Sequence, residues 1–255
     1  MSSRLAGKVV VVTGAGSGMG RAMAVRFAAE GASVLGADWN EEALKAVVDE
    51  VTAVGGTIRG VKTNVADRAQ VEALVQTAVD TFGKLDVLVN NAGVMDLNQG
   101  VAELDDDLYR RVMGVNVDGP TFASRAAIRA MGDKGGSILN IASVAGVGGG
   151  AAGAAYTMSK HAVIGLTRNT AFMYGPKGIT CNAIVVGAVA TNIMSSIDPT
   201  KLDQYGMSRS QRYYGLIPAQ LQPDDIANLA LFLVSDEAKM VNGALVTADG
   251  GWRAA

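Results

Sequence analysis

The sequence is poor in the residues that build disulfide, metal and hydrolase sites. Its 255 residues contain one cysteine, Cys181, and one histidine, His161. One cysteine excludes a disulfide framework within the chain, and one histidine excludes a His-rich metal centre or a convincing serine-hydrolase triad. We therefore expect metal-free chemistry, with His161 packed or facing solvent.

Strong charge and long hydrophobic runs are also missing. The net charge of −2 carries no basic stripe of the kind that binds nucleic-acid phosphates. The first apolar run, Val9 to Val12, is too short for the core of a signal peptide, and no later run has membrane-spanning length. With the single cysteine, this predicts a soluble, unprocessed protein of the reducing cytoplasm with neither a nucleic-acid nor a membrane partner.

What is abundant is glycine, at 32 residues, and apolar side chains, at 49%. Short apolar runs alternate with stretches of helical period, which is typical of βαβ units. We predict one α/β domain over residues 1–255, a Rossmann fold with a doubly wound, mostly parallel seven-stranded sheet flanked by helices. The predicted strands are Lys8–Thr13, Ser33–Asp38, Thr57–Thr63, Leu85–Asn90, Ser137–Ala142, Thr180–Val186 and Ala244–Ala248. The predicted helices are Gly18–Glu30, Glu41–Val54, Asp67–Phe82, Asp105–Met131, Ala154–Tyr174 and Pro223–Val234.

Two segments depart from this regular pattern. The helix Asp105–Met131 contains Gly114, Gly119 and Pro120, so we expect it to bend there. The segment 190–218 lacks a clear period and is a candidate substrate lid.

The first predicted strand runs into a glycine-rich turn, Thr13-Gly14-Ala15-Gly16-Ser17-Gly18-Met19-Gly20, which opens a predicted helix. In that context the backbone N–H groups and the positive helix end can face a pyrophosphate. An ordinary strand-to-helix turn is the structural alternative. The residues assigned to the phosphates are Gly14, Ser17, Gly18, Met19 and Gly20.

An acidic residue, Asp38, ends the second predicted strand about twenty residues after the turn, where a carboxylate can accept hydrogen bonds from the adenosine ribose. It would repel a ribose 2′-phosphate, and Trp39 and Asn40 follow where a neutralising arginine could stand. Asp38 and Trp39 are both assigned to the cofactor. The pattern favours NAD(H) over NADP(H). A helix cap before Glu41 is the alternative for Asp38.

Four motifs in order, the glycine turn, Asn90-Asn91-Ala92-Gly93, Ser143 and Tyr156-Thr157-Met158-Ser159-Lys160, resemble the short-chain dehydrogenase/reductase family over nearly the whole chain. The closest likeness is to 3-oxoacyl-reductase-like and secondary-alcohol-dehydrogenase-like members. The resemblance implies that Asn91, Ala92 and Gly93 line the cofactor. Members usually carry an Asp where this chain has Asn64-Val65, and a Pro where it has Val186. The resemblance further assigns Asn64, Val65, Gly187, Val189 and Thr191 to the cofactor.

Tyr156 and Lys160 stand four residues apart on a predicted helix, so both side chains project from one face. Taken alone, such a pair is usually structural. The resemblance makes Tyr156 the general acid/base, gives Lys160 the nicotinamide ribose, and gives Asn116 a water in a proton relay. Ser143 would hold the substrate oxygen. Stabilising the phenolate by about three pKa units corresponds to roughly 4 kcal/mol, which Lys160 and the positive nicotinamide could supply together.

These residues predict an NAD-dependent oxidoreductase acting on the CH–OH group of a small-molecule alcohol or ketone. A non-catalytic NAD(H)-binding sensor or scaffold is the main alternative. An enoyl-thioester reductase would need a longer Tyr-to-Lys spacing, and a methyltransferase would leave the Tyr156 group unexplained. The resemblance implies a homotetramer, with a homodimer as the alternative. Met95, Leu97, Met194 and Tyr205 suggest apolar walls for the substrate, and Arg209 and Arg212 could meet an acidic one, although surface ion pairing is their commoner use.

Overall fold

A computed structural model describes residues 3–254, and all its strands lie in one seven-stranded sheet of order β3-β2-β1-β4-β5-β6-β7. Every strand pair is parallel, which confirms the predicted doubly wound sheet. The strands are β1 Val9–Thr13, β2 Ser33–Asp38, β3 Thr57–Lys62, β4 Val87–Asn90, β5 Gly136–Ile141, β6 Ile179–Val186 and β7 Leu245–Ala248. The helices are α1 Gly18–Ala29, α2 Glu41–Ala53, α3 Arg68–Phe82, α4 Asp106–Met113, α5 Gly119–Met131, α6 Ala154–Tyr174, α7 Gln204–Tyr214 and α8 Pro223–Val234.

The sheet is buried on both faces because its strands are apolar at consecutive positions. In β1, Val10 and Val12 join the core formed with α1, α2 and α8. The alternate residues Val9 and Val11 join the opposite core, formed with α3 and α5. Burying each of these side chains contributes on the order of 1.5–3 kcal/mol. Because the strands are parallel, their carboxyl ends lie along one edge of the sheet, and the candidate site is at this edge.

The bounds of α6 and α8 agree with the sequence prediction, and Asp67 caps α3 by accepting hydrogen bonds from the N–H groups of Ala69 and Gln70. The segment predicted as one helix over Asp105–Met131 is instead α4, a π-helical turn at Gly114–Asp118, and α5. Pro120 follows directly after the π-helical turn, where it removes one backbone N–H donor from the continuous helical segment. The predicted interruption therefore has the form of a widened turn.

The segment 190–218 contains one helix that the periodicity did not predict. α7 covers Gln204–Tyr214, and Asp203 caps it by accepting a hydrogen bond of 2.6 Å from the N–H of Gly206. Ser210 is its only buried residue, which explains why no apolar stripe marks it in the sequence. None of the helices found in residues 3–254 combines the length and apolar character that crossing a bilayer requires.

Candidate active site

The glycine turn between β1 and α1 bends through conformations that favour glycine. Gly14 and Gly18 have φ angles of +67° and +51°, a region that side chains with a Cβ rarely adopt. A Cβ on Gly20 would overlap the carbonyl oxygen of Gly14. Ser17 is the extended N-cap of α1, so the first N–H groups of the helix point out of the turn. Such a turn can accept an anionic group at the helix N-terminus, and its assignment to the pyrophosphate of a dinucleotide stays a prediction.

Asp38 lies directly against this turn. Its Oδ2 accepts a hydrogen bond of 2.8 Å from the N–H of Gly16, and its Oδ1 accepts one of 2.9 Å from the N–H of Asn40. Each carboxylate oxygen retains a lone pair for a ribose hydroxyl. Asn40, rather than Asp38, caps α2, because its side chain accepts from the N–H of Ala43. The side chain of Trp39 is 78% exposed.

At the predicted adenine end, Asn64 is exposed and Val65 is buried. The Oδ1 of Asn64 already accepts a hydrogen bond of 3.1 Å from the N–H of Ala66, so one lone pair remains for an adenine amino group. Val65 packs against Gly119 at the start of α5, where a Cβ would lie 3.1 Å from Val65.

The Asn-Asn-Ala-Gly segment after β4 is locked to the end of β1. The Oγ1 of Thr13 accepts hydrogen bonds from the N–H groups of Asn91 and Ala92 at 3.0 and 3.1 Å. The amide of Asn91 donates to the carbonyls of Thr13 and Gly14 at 2.9 and 3.2 Å. The segment and the glycine turn are thus one hydrogen-bonded unit, and Gly93 brings it beside the amine of Lys160.

The loop after β6 brings Gly187, Val189 and Thr191 towards the glycine turn. Gly187 leaves no room for a side chain, since a Cβ would lie 2.7 Å from the Cα of Asp249. Val189 forms a parallel bridge with Leu221, which fixes the course of the loop. Thr191 then faces the glycine turn, with its Cγ2 3.2 Å from where a Cβ on Gly18 would stand. The predicted cofactor residues of three strand ends therefore converge.

Tyr156, Lys160 and Ser143 form the centre of the cleft. Tyr156 and Lys160 are only 7% and 4% exposed, and the Lys160 Nζ lies 5.4 Å from the centroid of the Tyr156 ring. The Nζ donates a hydrogen bond of 2.9 Å to the carbonyl of Ile141 at the end of β5. The Oγ of Ser143 accepts from the N–H of Ala145 at 3.1 Å, and both Ser143 and Tyr156 line the cleft.

Burial shifts the pKa values of the two ionisable groups of this centre, Tyr156 and Lys160, in opposite directions. It raises the pKa of the Tyr156 phenol, which the hydrogen bond from Ser143 lowers and the charge of Asp96 raises further. It lowers the pKa of Lys160 to about 8. In the protein alone, the ammonium of Lys160 therefore releases its proton before the phenol does, because a low-dielectric site disfavours both charges.

Asn116 lies in the π-helical turn, next to Gly93 at the edge of this centre. Its amide binds Val94 through both backbone groups, at 2.9 and 3.0 Å, and donates to the Oγ of Ser159 at 3.1 Å. The side chain therefore joins the loop after β4 to α6, and its relay role stays a prediction. His161 is exposed, with its Nδ1 2.9 Å from the carbonyl oxygen of Thr157.

A buried acid that sequence reasoning missed lies next to Tyr156. Asp96 is 1% exposed and accepts hydrogen bonds from the N–H groups of Asn98, Gly153 and Tyr156. Asn98, also buried, has a φ of 57°, and it is the only non-glycine residue in the left-handed region among residues 3–254. A left-handed Asn is a known turn signal, but it is not visible without the backbone.

The cleft above Tyr156 has a volume of about 320 Å³ and mostly apolar walls. Met95 and Met194 line it as the sequence suggested, whereas Leu97 and Tyr205 do not belong to its lining. Arg209 and Arg212 are exposed and lie outside the lining within the part of the chain described. The segment 190–218 contributes Thr191, Ile193, Met194, Met207, Tyr214 and Ile217, and the C-terminal part contributes Trp252. The opening of this segment as a lid stays a prediction.

Comparison with known proteins gives matches along nearly the full length of the chain. A family model described as enoyl-(acyl carrier protein) reductase matches residues 14–253. The chain is 44% identical over 252 residues to 3beta-hydroxysteroid dehydrogenase 2 of Eggerthella lenta, covering 98% of this chain and 96% of that protein. It is 39% identical over 256 residues to a short chain dehydrogenase/reductase of Colletotrichum higginsianum, covering 98% and 96%. The crystal structure of levodione reductase is similar with a TM-score of 0.89 and 35% identity, covering 98% of this chain and 99% of that one.

Proposed function

The chain belongs to the short-chain dehydrogenase/reductase family and is an oxidoreductase, and on that premise we propose that it transfers hydride between NAD(H) and a secondary alcohol or ketone. The observation that carries the proposal is the buried Tyr156, which lines an apolar cleft together with Ser143 and has the Lys160 Nζ 5.4 Å from its ring centroid. The glycine turn and Asp38 open onto the same edge of the sheet, so a dinucleotide held there would meet a substrate above Tyr156.

Each residue of this centre has a separate role in the reaction. NAD(H) supplies the nicotinamide ring that accepts or returns the hydride. In oxidation, the Tyr156 oxygen takes the hydroxyl proton while the carbon gives up its hydride, and in reduction the same hydroxyl returns a proton to the carbonyl oxygen. Ser143 donates a hydrogen bond to the substrate oxygen and stabilises the charge that develops there. Lys160, held by the Ile141 carbonyl, keeps a positive charge beside the phenolate.

The cofactor preference rests on the charge of Asp38. Its nearest cross-strand partner is Lys62, whose amine is already 3.4 Å from the carboxylate of Glu41. A 2′-phosphate would therefore meet an uncompensated carboxylate. At a separation of about 4 Å the repulsion is on the order of 1 to 4 kcal/mol per unit charge, depending on solvent screening. That corresponds to a preference for NADH over NADPH of roughly 5- to 1000-fold per unit charge.

Binding measurements of NADH and NADPH by fluorescence test this preference. In Asp38→Ser, the affinity ratio should fall towards unity because the repulsion is removed. Asp49→Ser, which changes an exposed acid of α2 that pairs with Lys45, should leave the ratio unchanged. Equal affinity of the wild-type chain for both cofactors would contradict the assignment of Asp38.

The cleft supports a compact cyclic substrate with an apolar skeleton. Ser143 and Tyr156 supply hydroxyl groups to its lining, while methionine, isoleucine, valine and aromatic side chains form much of the remaining wall. Such a site orients one oxygen and buries the rest of the molecule. The relatives named for a hydroxysteroid and for levodione act on molecules of this kind, which supports a cyclic alcohol or ketone over an open-chain polyol.

Turnover assays with NAD⁺ and a panel of steroid, cyclic, polyol and 3-hydroxyacyl thioester substrates test the reaction. Tyr156→Phe should abolish turnover and leave NADH binding intact, because only the proton-transferring oxygen is removed. Tyr174→Phe, the same change at the far end of α6, should keep full activity. Retained turnover in Tyr156→Phe would disprove its role as acid/base.

Two other functions are distinguished by the same assays. An enoyl-thioester reductase, named in the description of the matching family model, would reduce the carbon–carbon double bond of an enoyl thioester and leave ketones unchanged. The spacing of four residues between Tyr156 and Lys160 favours carbonyl chemistry. A sensor or scaffold would bind NADH with no turnover of any substrate.

We also infer a homotetramer, as the family resemblance implies. Large apolar side chains are exposed at the end of α6 and after α8, where Phe172, Met173 and Met240 are 80%, 55% and 87% exposed. Exposed clusters of this kind are typical of interfaces between subunits. Light scattering measures the mass directly, and a monomer at working concentration would contradict the inference.

A further inference from the structure

We propose that Asp96 is a positioning residue for Tyr156, which fixes the first turn of α6 and, through Asn98, connects that turn to α7. This inference rests on the proposed function of Tyr156. Asp96 stands in the loop after β4, far from Tyr156 in sequence, and its carboxylate is 1% exposed. The structure gives all its described partners as backbone N–H groups on two segments.

Asp96 caps the N-terminus of α6. Gly153 is the N-cap residue and has no side chain to cap the helix. Asp96 takes over that role from outside the helix, because its Oδ1 accepts from the N–H of Gly153 at 3.1 Å and its Oδ2 accepts from the N–H of Tyr156 at 2.8 Å. Tyr156 is the third residue of α6, the position whose N–H an N-cap side chain normally binds. The negative charge also lies at the positive end of the helix.

The loop that contains Asp96 packs closely against the start of α6. A Cβ on Gly153 would lie 2.7 Å from the Oδ2 of Asp96. The N–H of Ala154 donates a hydrogen bond of 2.8 Å to the carbonyl of Gln99. The backbone of the loop and the backbone at the start of α6 are thus in direct contact. A displacement of Asp96 would move the residue that carries the reacting oxygen.

Hydrogen bonds through Asn98 connect Asp96 to α7. Its Oδ1 accepts from the N–H of Asn98 at 3.1 Å and so stabilises the left-handed backbone of that residue. The Nδ2 of Asn98 donates to the Oγ of Ser210 and to the hydroxyl of Tyr214, both at 3.2 Å. The Tyr214 hydroxyl then donates to the carbonyl of Ala151, just before α6, at 3.1 Å.

This arrangement assigns separate effects to the two side chains. Asp96 sets the position of the Tyr156 oxygen and therefore the rate of proton transfer, for which small misplacements are costly. Asn98 sets the position of α7, whose residues Met207 and Tyr214 line the cleft, and therefore the fit of the substrate.

Steady-state kinetics of the full chain, with NAD⁺ and the best substrate of the panel, separate these effects. In Asp96→Asn, kcat should fall about 10- to 100-fold while the dissociation constant of NADH stays unchanged. An amide keeps the shape but has one acceptor oxygen where the carboxylate uses two. In Asn98→Gly, which keeps the left-handed backbone, KM should rise while kcat stays near the wild-type value.

The pH profile gives a readout that a merely structural cap would not move. The charged groups that face Tyr156 are Lys160 on α6 and Asp96 in the loop, while Ser143 presents only a hydroxyl. Because the charge of Asp96 raises the pKa of Tyr156, its removal should move the acid limb of kcat/KM for oxidation to lower pH.

The matched control is Asp105→Asn. Asp105 caps α4 through the N–H of Leu108 at 2.8 Å, and α4 does not carry Tyr156. This variant should keep kcat, KM and the pH profile. Should Asp96→Asn fail to fold, Gly153→Ala perturbs the same contact, because its Cβ would meet the Asp96 carboxylate and the backbone of Asn98 and Gln99, and it should lower kcat in the same way.

The outcomes distinguish the inference from the proposed function. A wild-type chain with no turnover of any alcohol or ketone overturns the proposed function and the inference with it. A wild-type chain that turns over while Asp96→Asn or Gly153→Ala keeps its kcat and pH profile overturns the inference alone. A fall in kcat with a shifted acid limb, absent in Asp105→Asn, supports it.

Discussion

Replacing Lys160 by methionine should slow alcohol oxidation most strongly at neutral pH. The ammonium lies 5.4 Å from the centroid of the Tyr156 ring, so with an effective dielectric constant of about 20 it stabilises the phenolate by about 3 kcal/mol. That energy corresponds to about two pKa units of the phenol, or a loss of about 100-fold in the phenolate fraction. Methionine fills a similar volume and removes only the charge and the hydrogen bond to Ile141.

The sign of this effect depends on the pH range. Burial already raises the pKa of Tyr156, so the phenol is protonated at neutral pH and the rate of oxidation rises as pH increases. The variant needs a pH about two units higher to reach the same phenolate fraction. The deficit in kcat/KM should be largest near pH 7 and shrink as pH rises through about 8, because the wild-type Lys160 then loses the charge that the variant lacks. In the wild-type chain, ketone reduction should decline as pH rises through about 8, where Lys160 loses its proton.

Initial rates of NADH formation between pH 6 and about 10 measure both profiles, with NADH binding measured separately. Lys177→Met, the same change just beyond the C-terminal end of α6, is the control and should behave as the wild type. A Lys160→Met profile that is lowered equally at every pH would refute the electrostatic argument and leave Lys160 only a role in holding the cofactor. An unchanged profile would remove Lys160 from the mechanism.

Two further predictions concern packing around the site. Trp252 is 5% exposed, donates from its Nε1 to the carbonyl of Tyr213 at 3.0 Å and stacks on that ring at 4.7 Å. Trp252→Ala should lower the free energy of unfolding by about 3 kcal/mol and Tm by about 6–12 °C, and it should raise KM for bulky alcohols. Trp252→Phe should lose less stability. An unchanged KM in Trp252→Ala would exclude Trp252 from the substrate wall. Asn140, fully buried, accepts from Asn90 and donates to Thr167, both at 2.8 Å. Asn140→Leu should cost about 1–3 kcal/mol in thermal unfolding with NADH affinity unchanged, and weakened NADH binding would contradict a purely structural role.

The fold and the central pair of the site could be predicted because their signals are local. The spacing of Tyr156 and Lys160 is a property of one helix, and the bounds predicted for that helix agree with α6. The glycine turn and Asp38 are likewise defined by their places after predicted strands. Side chains of this kind are positioned by the geometry of their own element.

The remaining parts of the site depend on contacts between distant segments. Asp96 is 60 residues from Tyr156 along the chain, and neither its burial nor its partners follow from its neighbours in the sequence. α7 was missed because its stability comes from Asn98 and Trp252 rather than from an apolar stripe of its own. The amide of Asn116 was predicted to hold a water of a proton relay; the structure adds its hydrogen bonds to Val94 and Ser159, and the relay role stays a prediction.

The pKa of Tyr156 shows the same division between local pattern and packed environment. A lysine four residues away suggests a lowered pKa, yet Tyr156 packs with Met95 of the loop after β4 and with Ala145 and Ala152 of the β5–α6 connection. Burial raises the pKa of Tyr156 by more than Ser143 lowers it, and burial also lowers the pKa of Lys160. Since burial disfavours both ions of the pair, the positive charge that makes the phenolate accessible at neutral pH cannot come from Lys160 alone. The oxidised cofactor must contribute part of it, so the reaction should require NAD⁺ to be bound before the alcohol is deprotonated.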